Sequence, residues 1–393
     1  MLRTRRQFLI HGIQVSAVLP MAQLHNFRPH SGDDETILVV IQLSGGNDGL
    51  NMVVPHAQDE YYKLRPTLAL KPKSLHALDD GFGLHPNMGA LAEVYAEGTM
   101  AVIHGVGYPQ PNRSHFRSMD IWHSADLKDE QPTCGWLGRL ADQMQAADPE
   151  RLVALHVGSG ELPLALYGQQ AFAPTARDRK GFHLRGSDGF SRARTNMLDQ
   201  SLGQNSELGF LHSAASNSYR AAERMDASVE LDSSVDYPGY RLAQELKLVS
   251  QLISSHFGPR IFQLELTGFD THVNQTRSHG ELLGELSASL AAFQRDLKVS
   301  GTDTKVLTLV FSEFGRRVGE NKSRGTDHGA AGPCLLVGRG VRAGMHGTPP
   351  DLRRLIDGDL PFGTDFRALY STLEADWMKL ASSTGLKSLE LLS

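Results

Sequence analysis

The chain reads as an α/β protein: a mainly parallel sheet sandwiched by helices. Two observations predict this. Apolar runs of strand type recur along the chain, four of them ending in turns that carry acids, Asn or His. From about residue 36 to 157, and again after 240, such runs alternate with helical stretches, which argues for right-handed βαβ units. In an open parallel sheet the carboxyl ends of the strands form the crevice where ligands sit. Polar groups at those ends, distant in sequence, are therefore predicted to converge.

The amino terminus reads as an address. Arg5 and Arg6 stand directly before a weakly apolar stretch, residues 8–22, so residues 1–30 look like a twin-arginine export signal. No clean small-residue cleavage site precedes Ala22, and both removal and retention as a tether stay open. The expected location is periplasmic or secreted, with the twin-arginine translocase as partner during export. Residues 36–393 are expected to form one domain.

Its first run, 36–44, leads into Gly45-Gly46-Asn47-Asp48-Gly49. Glycines beside an acid allow a sharp turn that leaves the Asp48 carboxylate open to a cation, although Asn-Asp-Gly is also ordinary turn chemistry. No Gly-Lys-Ser/Thr follows and the spacing is not a dinucleotide fingerprint, which excludes the common phosphate loops. A helix is expected over 85–98, then a strand from Met100 leading to Asn112, Ser114 and His115. A helix over 114–125 puts the Ser114 hydroxyl beside free backbone N–H groups at the positive end of the dipole. Ser114 and His115 are the candidate catalytic residues, with helix capping by Ser114 or Asn112 as the plain alternative.

Residues 158–240 change texture, rich in Ser, Gly, Arg and Gln without a clear period, and are expected to be an insertion, part helical over 195–229. The sheet pattern then resumes with a helix at 240–257 and a strand at 260–266. That strand carries Glu265 and ends in Phe269-Asp270-Thr271-His272; Asp270 and His272, two apart in extended chain, share a face and can bind one ion or two neighbours. A helix at 280–299 and a strand at 305–311 lead to Glu313, which can act as a site acid or pair with Arg316 or Arg317 at the surface. Asp327 and His328 lie between glycines before a strand at 333–337, with His346 beyond. Convergent carboxylates and imidazoles suggest a cation site. Mixed oxygen and nitrogen donors admit zinc, magnesium, manganese or calcium, one ion or two, with His favouring zinc or manganese.

Composition excludes other classes. With 39 Lys plus Arg against 44 Asp plus Glu, a net charge of −5 and no long basic block, nucleic acid is not an expected partner. No apolar window is long enough for a stable membrane span in the mature chain. Two cysteines, Cys134 and Cys334, allow one disulfide, but a buried unpaired Cys334 is the plainer reading.

The motifs QLSGGNDGLN, NRSHF, TGFDTH, VFSEFGRR and GTDHG, in this order, resemble the exported bacterial family called domain of unknown function 1501, itself similar to the alkaline phosphatase and sulfatase superfamily. The resemblance spans residues 36–377 and implies an alkaline-phosphatase-like fold. It implies metal-ligand roles for Asp48, Asp270, Glu313 and His328 and the nucleophile position for Ser114. Departures stand beside it: Asp270-Thr271-His272 replaces Asp-x-x-x-His, and Glu313-Phe314 replaces Asp-His, so one imidazole is missing or supplied by His272, Asp327-His328 or His346. Two functions follow as expectations. One is an exported metal-dependent hydrolase of phosphate or sulfate esters, on a small-molecule or glycan substrate, with Asp48, Asp270, His272, Glu313, Asp327 and His328 as the metal set. The other is a non-catalytic exported binding or assembly protein that keeps the fold.

Overall fold

Val39, Ile41 and Leu43 of β1 (Ile37–Ser44) pack into one apolar cluster and Leu38 and Val40 into another, so both faces of this strand are covered. That is why the run is continuously apolar instead of alternating. A computed structural model describes residues 36–79, 81–147, 151–177 and 233–393. The expected export signal, residues 1–30, and most of the expected insertion, including its helical part at 195–229, lie outside the described residues.

Three short strands, β2 (Val53–Val54), β3 (His76–Ala77) and β4 (Gly83–Leu84), form a small separate sheet. The main sheet contains β1, β5 (Met100–Gly107), β6 (Ala154–Val157), β7 (Thr175–Ala176), β8 (Ile261–Thr267), β9 (Val306–Phe311), β10 (Gly332–Val337), β11 (Gly344–Gly347) and β12 (Thr364–Asp365). Its order is β11-β5-β10-β9-β1-β8-β6-β7, with β12 also on β5. Strand β1 pairs in parallel with β8 and β9, and β6 in parallel with β8 and β7. Among the described strands of this sheet only β10 is reversed, running antiparallel to both of its neighbours, β9 and β5. Strand β5 therefore points the same way as β1, β8 and β9, and the four polar strand ends emerge on one edge.

Helices cover the two faces. On one lie α1 (Gly89–Ala96), α4 (Arg241–Ser254) and α5 (Gln275–Ser300); Leu283, Leu286, Leu290, Phe293 and Leu297 of α5 recur every three or four residues and are fully buried in the first cluster. On the other lie α2 (His115–Ser124), α3 (Trp136–Ala147) and α6 (Phe366–Ser371). There Trp122 stacks between Phe311 and Phe366, and Trp136 lies 3.9 Å from the Tyr370 ring. The sequence expectations for helices at 85–98, 114–125, 240–257 and 280–299 meet these elements. Helix α5 begins earlier than expected, directly after the Asp270-His272 turn, and the 85–98 stretch opens with a 3-10 turn, Pro86–Met88, capped by His85.

Both cysteines are free, Cys334 being buried as a small apolar residue in β10. Among the described residues no helix is long and apolar enough to cross a membrane.

Candidate metal centre

The turn after β1 is shaped by what lies against it. Gly45 has φ +116°, and a Cβ there would stand 2.4 Å from the backbone nitrogen of Asp270; at Gly46 (φ +79°) a Cβ would meet the Phe314 ring at 2.2 Å. Only glycine permits this approach. The Gly45 N–H donates to Glu313 Oε1 (2.8 Å), and Ser312 Oγ accepts from the Asn47 N–H (2.9 Å) while donating to the Leu43 carbonyl (2.6 Å). The ends of β1, β8 and β9 are thereby tied into one rim.

On that rim His115, the first residue of α2, meets Asp270, His272 and His328. Asp270 Oδ1 lies 2.9 Å from His272 Nε2 and 3.1 Å from His328 Nε2, and Oδ2 lies 3.5 Å from His115 Nε2. The two Nε2 atoms of His272 and His328 are 3.0 Å apart. Each ring is oriented from behind. His328 Nδ1 lies 2.7 Å from the Arg113 carbonyl, which can only accept, so the proton is on Nδ1. His115 Nδ1 donates to Glu313 Oε1 (2.9 Å), and His272 Nδ1 to Asp327 Oδ1 (3.1 Å). Phe314, buried, packs against the rings of His115 and His328 at 4.9 and 4.7 Å.

The consequence is electrostatic. With Nδ1 protonated, a neutral imidazole presents a lone pair at Nε2, so three lone pairs face one carboxylate within a few ångströms, and His115 Nε2 is buried without a hydrogen-bond partner. One cation already lies among these donors, since Arg316 Nη2 is 2.6 Å from Asp270 Oδ1 and its Nη1 3.5 Å from His272 Nε2, which leaves the Nε2 lone pairs of His115 and His328 open to a further cation. Imidazole Nε2 held by an acceptor at Nδ1 is the arrangement of histidine metal ligands, and three nitrogens with one oxygen suit zinc better than calcium. His115, Asp270 and His328 each bring a ligand atom within 4.8 Å of the others. Burial pushes the Asp270 pKa up, but the hydrogen bond and charge of the Arg316 guanidinium oppose it and the balance falls to about 2, so the carboxylate is ionised. Asp327 is likewise held below the usual range, chiefly by the Asn321 amide. The Glu313 hydrogen bond raises the His115 pKa.

Asp48 is placed elsewhere. Its Oδ2 accepts from Arg65 Nη1 and Gln275 Nε2, both at 2.6 Å, inside the protein. Burial raises its pKa, but the Arg65 guanidinium prevails and the net shift is downward. The sequence placed Asp48 among the ligands; in the structure its charge is matched by an arginine instead. Glu313 stands behind His115, not in an ion pair with Arg316 or Arg317 as the alternative had it. Arg316 has 0 % side-chain exposure and spends its donors on the carbonyls of Gly45, Gly46, Phe269 and Thr326 and on Asp270 Oδ1 (2.6 Å). Ser114 precedes His115 at the start of α2, exposed and making no side-chain cap, while its N–H donates to Asn112 Oδ1 (2.8 Å). His346 sits in β11 with its ring on the Arg342 carbonyl and Glu265 accepts from Ser44; neither joins the cluster.

Arg65 and Gln275 were not singled out by the sequence; Arg113 entered only as part of the NRSHF motif and Arg316 only as a possible partner of Glu313, not of Asp270.

Among solved structures, the chain is similar to the C-terminal periplasmic domain of EcEptC from Escherichia coli in complex with Zn, at 12% identity over 81% of this chain and 77% of that one, TM-score 0.38. It is similar to the PsFucS1 sulfatase from Pseudoalteromonas sp. at 11% identity, 92% and 72% coverage, TM-score 0.37. A third is a protein in the alkaline phosphatase superfamily from Vibrio parahaemolyticus, at 10% identity, 88% and 71% coverage, TM-score 0.35. These likenesses are too distant to transfer a residue role. No curated protein sequence matches the chain. The sequence model of the family described as "Protein of unknown function (DUF1501)" matches residues 35–389.

Proposed function

From a chain that belongs to the DUF1501 family and from the convergence just described, we propose an exported, metal-dependent hydrolase of phosphate or sulfate esters that holds one divalent cation, of the zinc or manganese class, at His115, Asp270, His272 and His328. One observation carries this reading: three imidazoles, each engaged at Nδ1 by an acceptor, aim Nε2 at a single carboxylate. Glu313, Asp327 and the Arg113 carbonyl are the outer partners that set the tautomers. One ion fits better than two, because Asp48 is neutralised by Arg65.

A divalent cation bound there supplies Lewis-acid polarisation of the ester oxygen. The chain's own groups supply the rest. The Ser114 hydroxyl, at the uncapped start of a ten-residue helix, is the nucleophile: its Oγ forms the bond to phosphorus or sulfur as the bond from that atom to the alcohol oxygen breaks, the serine proton passes to the departing oxygen, and water later hydrolyses the serine ester to regenerate the hydroxyl. The open N–H groups of the first turn of α2 stabilise the negative charge that develops on the ester oxygens. Arg316 holds the rim together and has no donor left for substrate.

A second reading, an exported binding or assembly protein without turnover, is favoured by one observation: among the described residues no base is hydrogen-bonded to Ser114 Oγ. Elemental analysis of the purified protein, followed by aryl phosphate and aryl sulfate turnover with and without chelator, separates the two. Hydrolysis predicts a bound divalent ion and a chelator-sensitive rate that drops to background in Ser114→Ala and in Asp270→Asn. Bound metal with no turnover on either ester gives the binding reading.

A further inference from the structure

The loop that leads into the cluster, residues 109–114, is exposed throughout, yet it supplies the carbonyl that fixes His328. Asn112 is anchored from the protein side: its N–H donates to the Tyr108 hydroxyl (3.0 Å) and its carbonyl accepts from Ser118 Oγ (2.8 Å). Arg113 is anchored from a different direction. Its Nε donates to Asp359 Oδ2 at 2.9 Å, and its Nη2 reaches the same oxygen. Asp359 is only 3 % exposed, whereas the Arg113 side chain is 40 % exposed, so the carboxylate is the fixed partner and the arginine the one held. Asp359 is itself set by a tight bridge with Ile356, each N–H donating to the other's carbonyl at 3.0 and 2.9 Å. Its Oδ1 has no hydrogen bond, and Arg317 Nε lies 3.9 Å away.

We propose that Asp359 is a positioning residue for the cation site, acting through Arg113: the ion pair fixes the direction of the Arg113 carbonyl, which keeps the proton on His328 Nδ1 and leaves Nε2 free to face Asp270. This rests on reading the cluster as a cation site only for its effect on metal binding, because the tautomer of His328 is a property of the metal-free protein. An exposed ion pair at the surface contributes little; this one is different because its carboxylate is buried and its arginine carries a backbone atom of the site. Outer partners of this kind change metal affinity by about 10–100-fold when removed.

The test uses the whole protein with labelled histidine. In metal-free wild type, nitrogen NMR of His328 should show one Nδ1–H tautomer. In Asp359→Asn it should show a mixture of tautomers, and zinc affinity by chelator competition should fall by about tenfold or more. Asp359→Glu should restore part of both. Asp351→Asn, which removes a surface ion pair from the same segment, should change neither. Should Asp359→Asn not fold, Arg113→Lys, which keeps the charge on Asp359 but loses the fork, gives the same readout. A single unchanged tautomer in these variants overturns the proposal whatever the affinity does. If the tautomer shifts as expected but wild type binds no zinc, the cation reading falls and the positioning role stands.

Discussion

At Asp48 two demands compete for one carboxylate, and the arginine wins. Arg65 is 0 % exposed and donates to Asp48, to Asn51 Oδ1 (3.0 Å) and to the carbonyls of Arg317 (3.0 Å) and Val318 (2.7 Å), so it links the first turn to the loop after Glu313. A buried pair of this kind is strongly destabilising to break from one side, because the remaining charge stays buried. Arg65→Leu is therefore expected to cost about 3–5 kcal/mol in urea unfolding. Asp48→Asn, which keeps the shape and the contacts to Gln275, is expected to leave zinc stoichiometry unchanged, whereas Asp270→Asn loses the ion. A zinc content that falls as far in Asp48→Asn as in Asp270→Asn, with both proteins still folded by circular dichroism, would return Asp48 to the ligand set. The sequence showed the acid and its glycines but not its partner: Arg65 lies 17 residues away in a stretch whose period points nowhere, and a residue's counter-ion is a tertiary fact. His272 and His328 stood out in the sequence because acids lie beside them, Asp270 two residues before the one and Asp327 directly before the other in a turn between glycines.

Strands and helices were more legible than single partners, since apolar run length and three-to-four spacing are local. What the runs do not carry is direction. Nothing in Gly332–Val337 marks it as antiparallel in the main sheet, because a strand covered on both faces has the same composition whichever way it runs. Helix α4 gives a prediction at this scale. Glu245, 6 % exposed, accepts from Arg241 Nη1 at 2.7 Å on one oxygen and has no partner on the other. Burial pushes its pKa up, against the pull of Arg241, to about 7. Arg241 also donates to the Glu265 carbonyl (2.8 Å), so the pair fastens α4 to β8. Since an unfolded glutamate titrates near ~4.3, the folded state keeps a proton between there and about 7 that the unfolded state has released. Folding takes up a proton in this window, so this group's contribution to stability falls as pH rises through it, with a slope of at most about 1.4 kcal/mol per pH unit. Glu245→Gln is expected to match wild type near pH 5 and to exceed it near pH 8 in urea midpoint. Parallel stability curves for the two proteins would show that Glu245 is ionised throughout.

Across the whole molecule, the cluster is assembled from four segments that meet only in the folded chain: 113–115 after β5, 270–272 after β8, 313–316 after β9, and 326–328 before β10. The unfolded chain holds these residues far apart and has no such site to offer. A ligand that binds the native state alone stabilises it by mass action, by about 2.7 kcal/mol at a hundredfold excess over its Kd. Zinc is thus expected to raise the thermal midpoint of the metal-free protein in a concentration-dependent way, and the rise should be lost in Asp270→Asn and in His328→Ala but kept in Ser114→Ala. That last contrast matters because Ser114 is assigned to chemistry and not to the ion: its removal should abolish turnover while leaving the zinc-dependent midpoint intact. A midpoint that rises equally in all four proteins would mean that zinc binds elsewhere. One that rises in wild type but fails in Ser114→Ala would place the serine oxygen among the ligands and make it a structural donor in place of the attacking group.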